Sequence, residues 1–178
     1  TVKITGKGNY TGSVSKTYSI KNNFKKATVS GISTKAFTGK AITQNVTVKV
    51  GNTVLKNGTD YTVSYSNNKK VGKATVKITG KGNYSGSLSA KFDIVPAKQQ
   101  IQKLETKYKG FYIDWAQKGS ATGYEIEYST NADFKGSTVK KLTANKPDTL
   151  TISGLTAGNK YYVRVRSYTN VGEKVYYG

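Results

Sequence analysis

Apolar residues along this chain recur at every second position in short runs, and each run ends in a break rich in glycine or asparagine. VKIT begins at Val2, VTVKV spans Val46–Val50, ATVKI spans Ala74–Ile78, FYIDW spans Phe111–Trp115 and GYEIEYS spans Gly123–Ser129. A period of two sends successive side chains to opposite faces, so each run predicts a strand with one buried and one solvated side. The breaks GKGNYTG, KNGTDY and SNNKKVGK carry the residues that turns require. Threonine, valine and tyrosine crowd the remainder and favour a pleated surface over a helix. The expected fold class is all-β. No run approaches the ~18 apolar residues of a membrane span.

One pattern occurs twice. Thr1–Ile20 and Thr75–Ile94 are identical at 14 of 20 positions, and two of the exchanges, Val14 for Leu88 and Tyr18 for Phe92, keep apolar character. Each copy reads as strand, glycine turn, strand. A phosphate-binding loop would need GxxxxGK[ST] followed by a helix, whose first amides face the anion. GKGNYTG and GKGNYSG lack that spacing, and strand-like SVSKTYSI and SLSAKFDI follow them. Gly6, Gly8 and Gly12, with Gly80, Gly82 and Gly86, are therefore read as turn residues supplying positive φ. Tyr10 and Tyr84 are expected to fold back over the end of a core.

Between the copies lie further strand signals at Ala27–Ile32 and Ala41–Val50, a tight turn at Asn57–Gly58, and a strand alternating on Tyr61, Val63 and Tyr65. Six or seven short strands in about 70 residues suit an Ig-like sandwich. The succession KAFTGKAI, VLKNGTDYTVSYSNNKKVGKATVKITGKGNYSG and KFDI resembles the Ig-like repeats of large secreted and surface proteins of Gram-positive gut bacteria. That resemblance covers Ala27–Ile94 and, for the final hairpin alone, Thr1–Ile20. It implies spacer or display modules in tandem, without catalytic residues.

After Val95–Pro96 acids become frequent and the single tryptophan arrives. Phe111, Ile113 and Trp115 share one face, as do Tyr124, Ile126 and Tyr128. Leu155, Gly158 and Tyr161, followed by alternating Val163 and Val165, resemble the tyrosine corner of a fibronectin type III domain, in which a buried tyrosine bonds back to the main chain. Trp115 matches that family's core tryptophan. The expected organisation is tandem β-sandwich modules: residues 1–22 as the closing hairpin of a preceding Ig-like repeat, 23–96 as a complete repeat, and 97–178 as a fibronectin type III-like module with a shortened last strand.

Composition narrows the chemistry. Cysteine and histidine are absent, which removes disulfides, thiol nucleophiles, histidine triads and the usual zinc sites. No cofactor and no metal is expected. Net charge is +20 from 29 basic and 9 acidic residues. Residues 1–92 hold 16 lysines and one acid, Asp60, for a net +15, leaving +5 for the remainder. Such a field attracts polyanions. Yet 27 of the cations are lysine, spaced as on a solvated sheet face, and base or phosphate recognition leans on arginine. No specific nucleic-acid binding is expected.

The candidate ligand strip is Tyr162, Arg164, Arg166 and Tyr168, which alternate outward on one predicted strand. Glu125 and Glu127 on the neighbouring strand offer the competing account, cross-strand pairing worth roughly 0.2–1 kcal/mol per pair. Catalysis would need two carboxyls about 5–10 Å apart in a cleft, whereas Asp114, Glu125 and Glu127 belong to flat strands. Asp60, an acid that could assist a Lys–Asn crosslink, is better placed to bond local amides at its turn. The resulting expectation is a non-enzymatic, extracellular stalk or display segment of a surface or secreted protein. Its expected partners are cell-wall polymers, host glycans or surface proteins, and neighbouring repeats of the same chain. The alternatives are accessory modules of a larger secreted hydrolase and a basic polyanion-binding module.

Overall fold

A computed structural model describes residues 1–146 and 148–178. Among them there is no α-helix, only strands and one 3₁₀ turn at Phe24–Lys26, so the all-β expectation holds. The strands in chain order are β1 (Val2–Thr5), β2 (Ser13–Lys16), β3 (Asn22–Asn23), β4 (Ala27–Ser30), β5 (Lys35–Ala36) and β6 (Thr47–Val50). They continue as β7 (Thr53–Val54), β8 (Tyr61–Ser66), β9 (Gly72–Gly80), β10 (Tyr84–Ser85), β11 (Ser87–Val95) and β12 (Ile101–Lys107). The last are β13 (Gly110–Trp115), β14 (Gly123–Ser129), β15 (Thr138–Leu142), β16 (Thr149–Ile152), β17 (Tyr162–Val171) and β18 (Lys174–Tyr177).

The chain divides into two compact units. One comprises Thr1–Ser30, Val46–Ser64 and Lys77–Ser89. Its buried side chains are Phe24, Val48, Leu55, Tyr61 and Ile78. Alternation works here as the sequence predicts: Val48 and Ile78 are buried, while their neighbours Lys49 and Lys77 are exposed. Strands β4, β6 and β7 form a three-stranded sheet with Val29 opposite Val48. Asp60 closes its turn by accepting the Lys56 N–H on Oδ2 at 2.8 Å, the local role expected of it. Gly58 has φ +86°, which asparagine–glycine turns require.

The two glycine loops are one turn used twice. The Gly6 N–H donates to the Gly12 carbonyl at 2.9 Å, and the Gly80 N–H donates to the Gly86 carbonyl at the same distance. Gly8 and Gly12, like Gly82 and Gly86, take positive φ. Gly6 and Gly80 do not. A Cβ there would stand 2.8 Å and 3.1 Å from the carbonyl oxygens of Tyr10 and Tyr84, so the first glycine of each loop serves close backbone approach instead. The surroundings of the tyrosines differ too. Tyr84 packs edge-on against Phe24 at 6.3 Å. Tyr10 is 79 % exposed, contrary to expectation, because its hairpin β1–β2 is a two-stranded sheet to which no further strand pairs among the described residues.

The other unit comprises Gly31–Asn45, Tyr65–Val76 and Ala90–Gly178. Ile42, Ala74, Phe92 and Ile94 form one of its apolar clusters, with Tyr65 edge-on to Phe92 at 6.5 Å. The long strand read over Ala41–Val50 begins only at Thr47. Side chains claim the earlier backbone groups. Tyr65 Oη accepts the Gln44 N–H and donates to the Gln44 carbonyl, and Asn68 Nδ2 donates to the Ile42 carbonyl.

Residues 101–177 of this unit hold two antiparallel sheets, β12-β13-β16 and β15-β14-β17-β18. Between them lie Phe111, Ile113 and Trp115 from one sheet and Tyr124, Ile126 and Tyr128 from the other. Trp115 is fully buried, its ring centroid 5.3 Å from that of Tyr124. Fully burying an aliphatic side chain such as Ile113 stabilises by roughly 1.5–3 kcal/mol, so this cluster dominates the module's stability. Leu155 packs against the cluster and donates its N–H to the Lys109 carbonyl. Gly158 has φ +81°, turning the chain so that Tyr161 Oη accepts the Thr156 N–H at 3.3 Å.

Candidate functional site

The residues with the most chemistry lie on the outer face of the sheet β15-β14-β17-β18. Register fixes their encounter: Glu125 stands opposite Arg166 on β17 and Lys141 on β15, and Glu127 stands opposite Arg164 and Val139. Arg166 Nη2 is 2.7 Å and Lys141 Nζ 3.4 Å from the Glu125 carboxylate. Arg164 Nε donates to Glu127 Oε2 at 2.6 Å, and Ser137 Oγ donates to Oε1 at 2.6 Å. Each guanidinium also lies 4.0 Å over an aromatic ring, Arg164 on Phe134 and Arg166 on Tyr177. Tyr162 is half-buried beneath Lys160, whose Nζ is 5.0 Å from its ring centre.

Tyr168 departs from expectation. It belongs to the outward parity of the strand, yet is only 1 % exposed. Its register partner is Gly123, where a Cβ would stand 2.7 Å from Tyr168 Oη. The ring fills the place of the missing side chain, donates its hydroxyl to the Leu142 carbonyl at 3.1 Å, and is capped by Lys141 Nζ at 4.3 Å. Of the four strip residues, the structure thus brings Arg164 and Arg166 together with the glutamates and removes Tyr168 from the surface.

The two arginines of this face thus have partners within the sheet, while their side chains stay 58 % and 49 % exposed. Arg164 and Arg166 each have an anionic partner and an aromatic platform. The depression lined by Glu125, Glu127, Val139, Arg164, Val165 and Arg166 holds about 40 Å³, close to the share of one water molecule rather than a sugar ring. Asp114 lies on β13, in the opposite sheet from the two glutamates.

Arg164 holds the Glu127 carboxyl below its ordinary value, helped by the Ser137 hydroxyl and opposed by burial. Folding therefore weakens proton binding here. The stabilisation is complete above the unfolded-state pKa and is lost as pH falls through the lower folded-state value. In a carbon-detected titration of the glutamate carboxyls, Glu127 is expected to have a midpoint below the ordinary glutamate range, and Arg164→Gln to raise it. A midpoint unmoved by the substitution would show that the ion pair is not the cause.

Sequence reasoning missed a wider groove of about 730 Å³ lined by Tyr65, Asn68, Lys69, Lys70, Lys73 and Tyr176, among other residues. Its one trace in the sequence is the polar loop SNNKKVGK. Among the described residues no carboxylate lines it. Lys73 is paired nearby with Asp93 at 2.9 Å, and Asp93 also accepts from Lys174 at 3.2 Å.

No curated protein matches the chain. The family model of the fibronectin type III domain matches residues 99–177, the stretch that carries the two facing sheets, Trp115 and the Tyr161 corner, and this part of the chain is similar to that family.

Proposed function

We propose that this chain is a non-catalytic spacer and display segment of an extracellular protein, of the surface or secreted kind found in Gram-positive bacteria. The observation that carries the reading is the saturation of its best candidate strip. Arg164 and Arg166 are spent on Glu127 and Glu125 and stacked on Phe134 and Tyr177. A face whose charges are satisfied internally stabilises a sheet without selecting a ligand. The fibronectin type III-like stretch, a modular unit, supports the same reading. No helix among the described residues is long and apolar enough to cross a membrane.

The test is binding of the chain to purified Gram-positive cell wall, mucin glycan and DNA across a salt series. Weak retention that vanishes with salt, or none, is expected, and Tyr162→Ala and Arg164→Ala leave it unchanged. Saturable binding to one polymer that survives high salt would overturn the reading. A second reading, attraction of polyanions, is favoured by Lys69, Lys70 and Lys73 around one groove. On that reading, replacing all three by glutamine flattens the salt dependence of DNA retention by about 0.9 for each phosphate no longer neutralised.

A further inference from the structure

Among the described residues twelve large apolar side chains are exposed, and six of them, Val2, Ile4, Tyr10, Val14, Tyr18 and Ile20, lie in the first hairpin and its continuation. Ile4 pairs with Val14 and Val2 with Lys16, so Val2, Ile4 and Val14 share one face with that lysine, and the exposed Tyr18 and Ile20 follow β2 in the chain.

The twin hairpin shows what such a surface is for. Ile4 is 69 % exposed but its counterpart Ile78 is fully buried; Tyr18 is 63 % exposed against 4 % for Phe92, and Ile20 88 % against 0 % for Ile94. The edges differ as well. In the sheet ordered β5-β11-β9-β8 the second hairpin is the central pair, with β5 along β11 and β8 along β9. Those flanking strands, and the buried Ile42, Val48 and Leu55, come from residues 24–71. Among the described residues no further strand pairs with β1 or β2.

We propose that the Thr1–Ile20 hairpin is an acceptor for a second half-repeat, a polypeptide segment with the pattern of residues 24–71, which adds a strand beside β1 and a short one at Ile20–Lys21, the counterpart of the β11 residues that pair with β5, and covers the Ile4 face. This goes beyond the spacer reading and does not depend on polymer binding. The recognition is β-strand addition, with main-chain bonds giving affinity and the apolar face giving register.

The probe is a synthetic peptide of residues 21–74, titrated into isotope-labelled full chain. Saturable 1:1 binding is expected, with amide shifts throughout Val2–Thr5 and at Ile20 and Lys21 and none in Gly123–Ser129. Ile4→Asp with Val14→Asp, both at exposed positions, is expected to weaken it at least tenfold while leaving Trp115 fluorescence unchanged. As a second measurement, the same 54 residues fused directly before Thr1 reproduce the Ala74–Thr75 junction, and should protect the β1 and β2 amides from exchange by about 100-fold or more. Absence of that protection, peptide binding indifferent to the Asp variants, or a hairpin-to-hairpin dimer in sedimentation would each overturn the proposal.

Discussion

Gly123→Ala is expected to lower the melting temperature of the fibronectin type III-like module by roughly 15 °C, more than any surface substitution in the chain. An added Cβ would stand 1.9 Å from the Leu142 carbonyl oxygen and 2.7 Å from Tyr168 Oη. The first obstacle is backbone in the paired strand β15, so relief requires β14 and β15 to part. Overpacking ordinarily destabilises by about 1–3 kcal/mol, and a main-chain obstacle places this case at the upper end. For a module of this size each kcal/mol shifts the midpoint by about 4–8 °C. The only tryptophan, Trp115, sits in this module's core, so its fluorescence reports the transition without interference from the rest of the chain. Gly119→Ala is the control: a Cβ there meets nothing within 4 Å, and the position has no positive φ. An equal melting temperature for the two variants would refute the close approach of β14 and β15.

The same glycine shows where sequence reading runs out. Alternation alone locates Phe111, Ile113 and Trp115 and their partners Tyr124, Ile126 and Tyr128, because a period of two fixes which side of a strand is dry. It also pairs Glu125 and Glu127 with the arginines, since opposite charges on neighbouring strands have few alternatives. Tyr168 escapes alternation because its burial is decided by the residue opposite, and that needs the β14–β17 register. Ala41–Val46 reads as a continuing strand, yet the hydroxyl of Tyr65 and the amide of Asn68 take its backbone groups from 21 and 26 residues away. The groove beside Lys69 and Lys70 likewise depends on segments distant in sequence. Tyr10 and Tyr84 make the limit plainest: the local strings around them are almost the same, so no local rule could tell the exposed ring from the packed one.

That pair of contexts permits an experiment in which sequence is held constant and only the surroundings change. Ile78→Ala is expected to destabilise the upstream fold by about 2–5 kcal/mol, the range for emptying a buried aliphatic site. Ile4→Ala, the identical replacement at the twin position, is expected to stay within about ±0.5 kcal/mol, as at an exposed site. Urea unfolding followed by amide signals of Lys77–Gly80 and Ser87–Ser89, which belong to the compact unit that holds Ile4 and Ile78, measures both. Hydrogen exchange supplies the matching native-state picture: amides in β9 protected, those in β1 exchanging freely, since a two-stranded hairpin alone is marginal in water. Equal losses at the two positions would mean that the first hairpin already has a cover, and the acceptor surface inferred above would not exist. A large difference would locate the stability of this repeat in the strands and core side chains that residues 24–71 lay against the hairpin, rather than in the hairpin sequence itself.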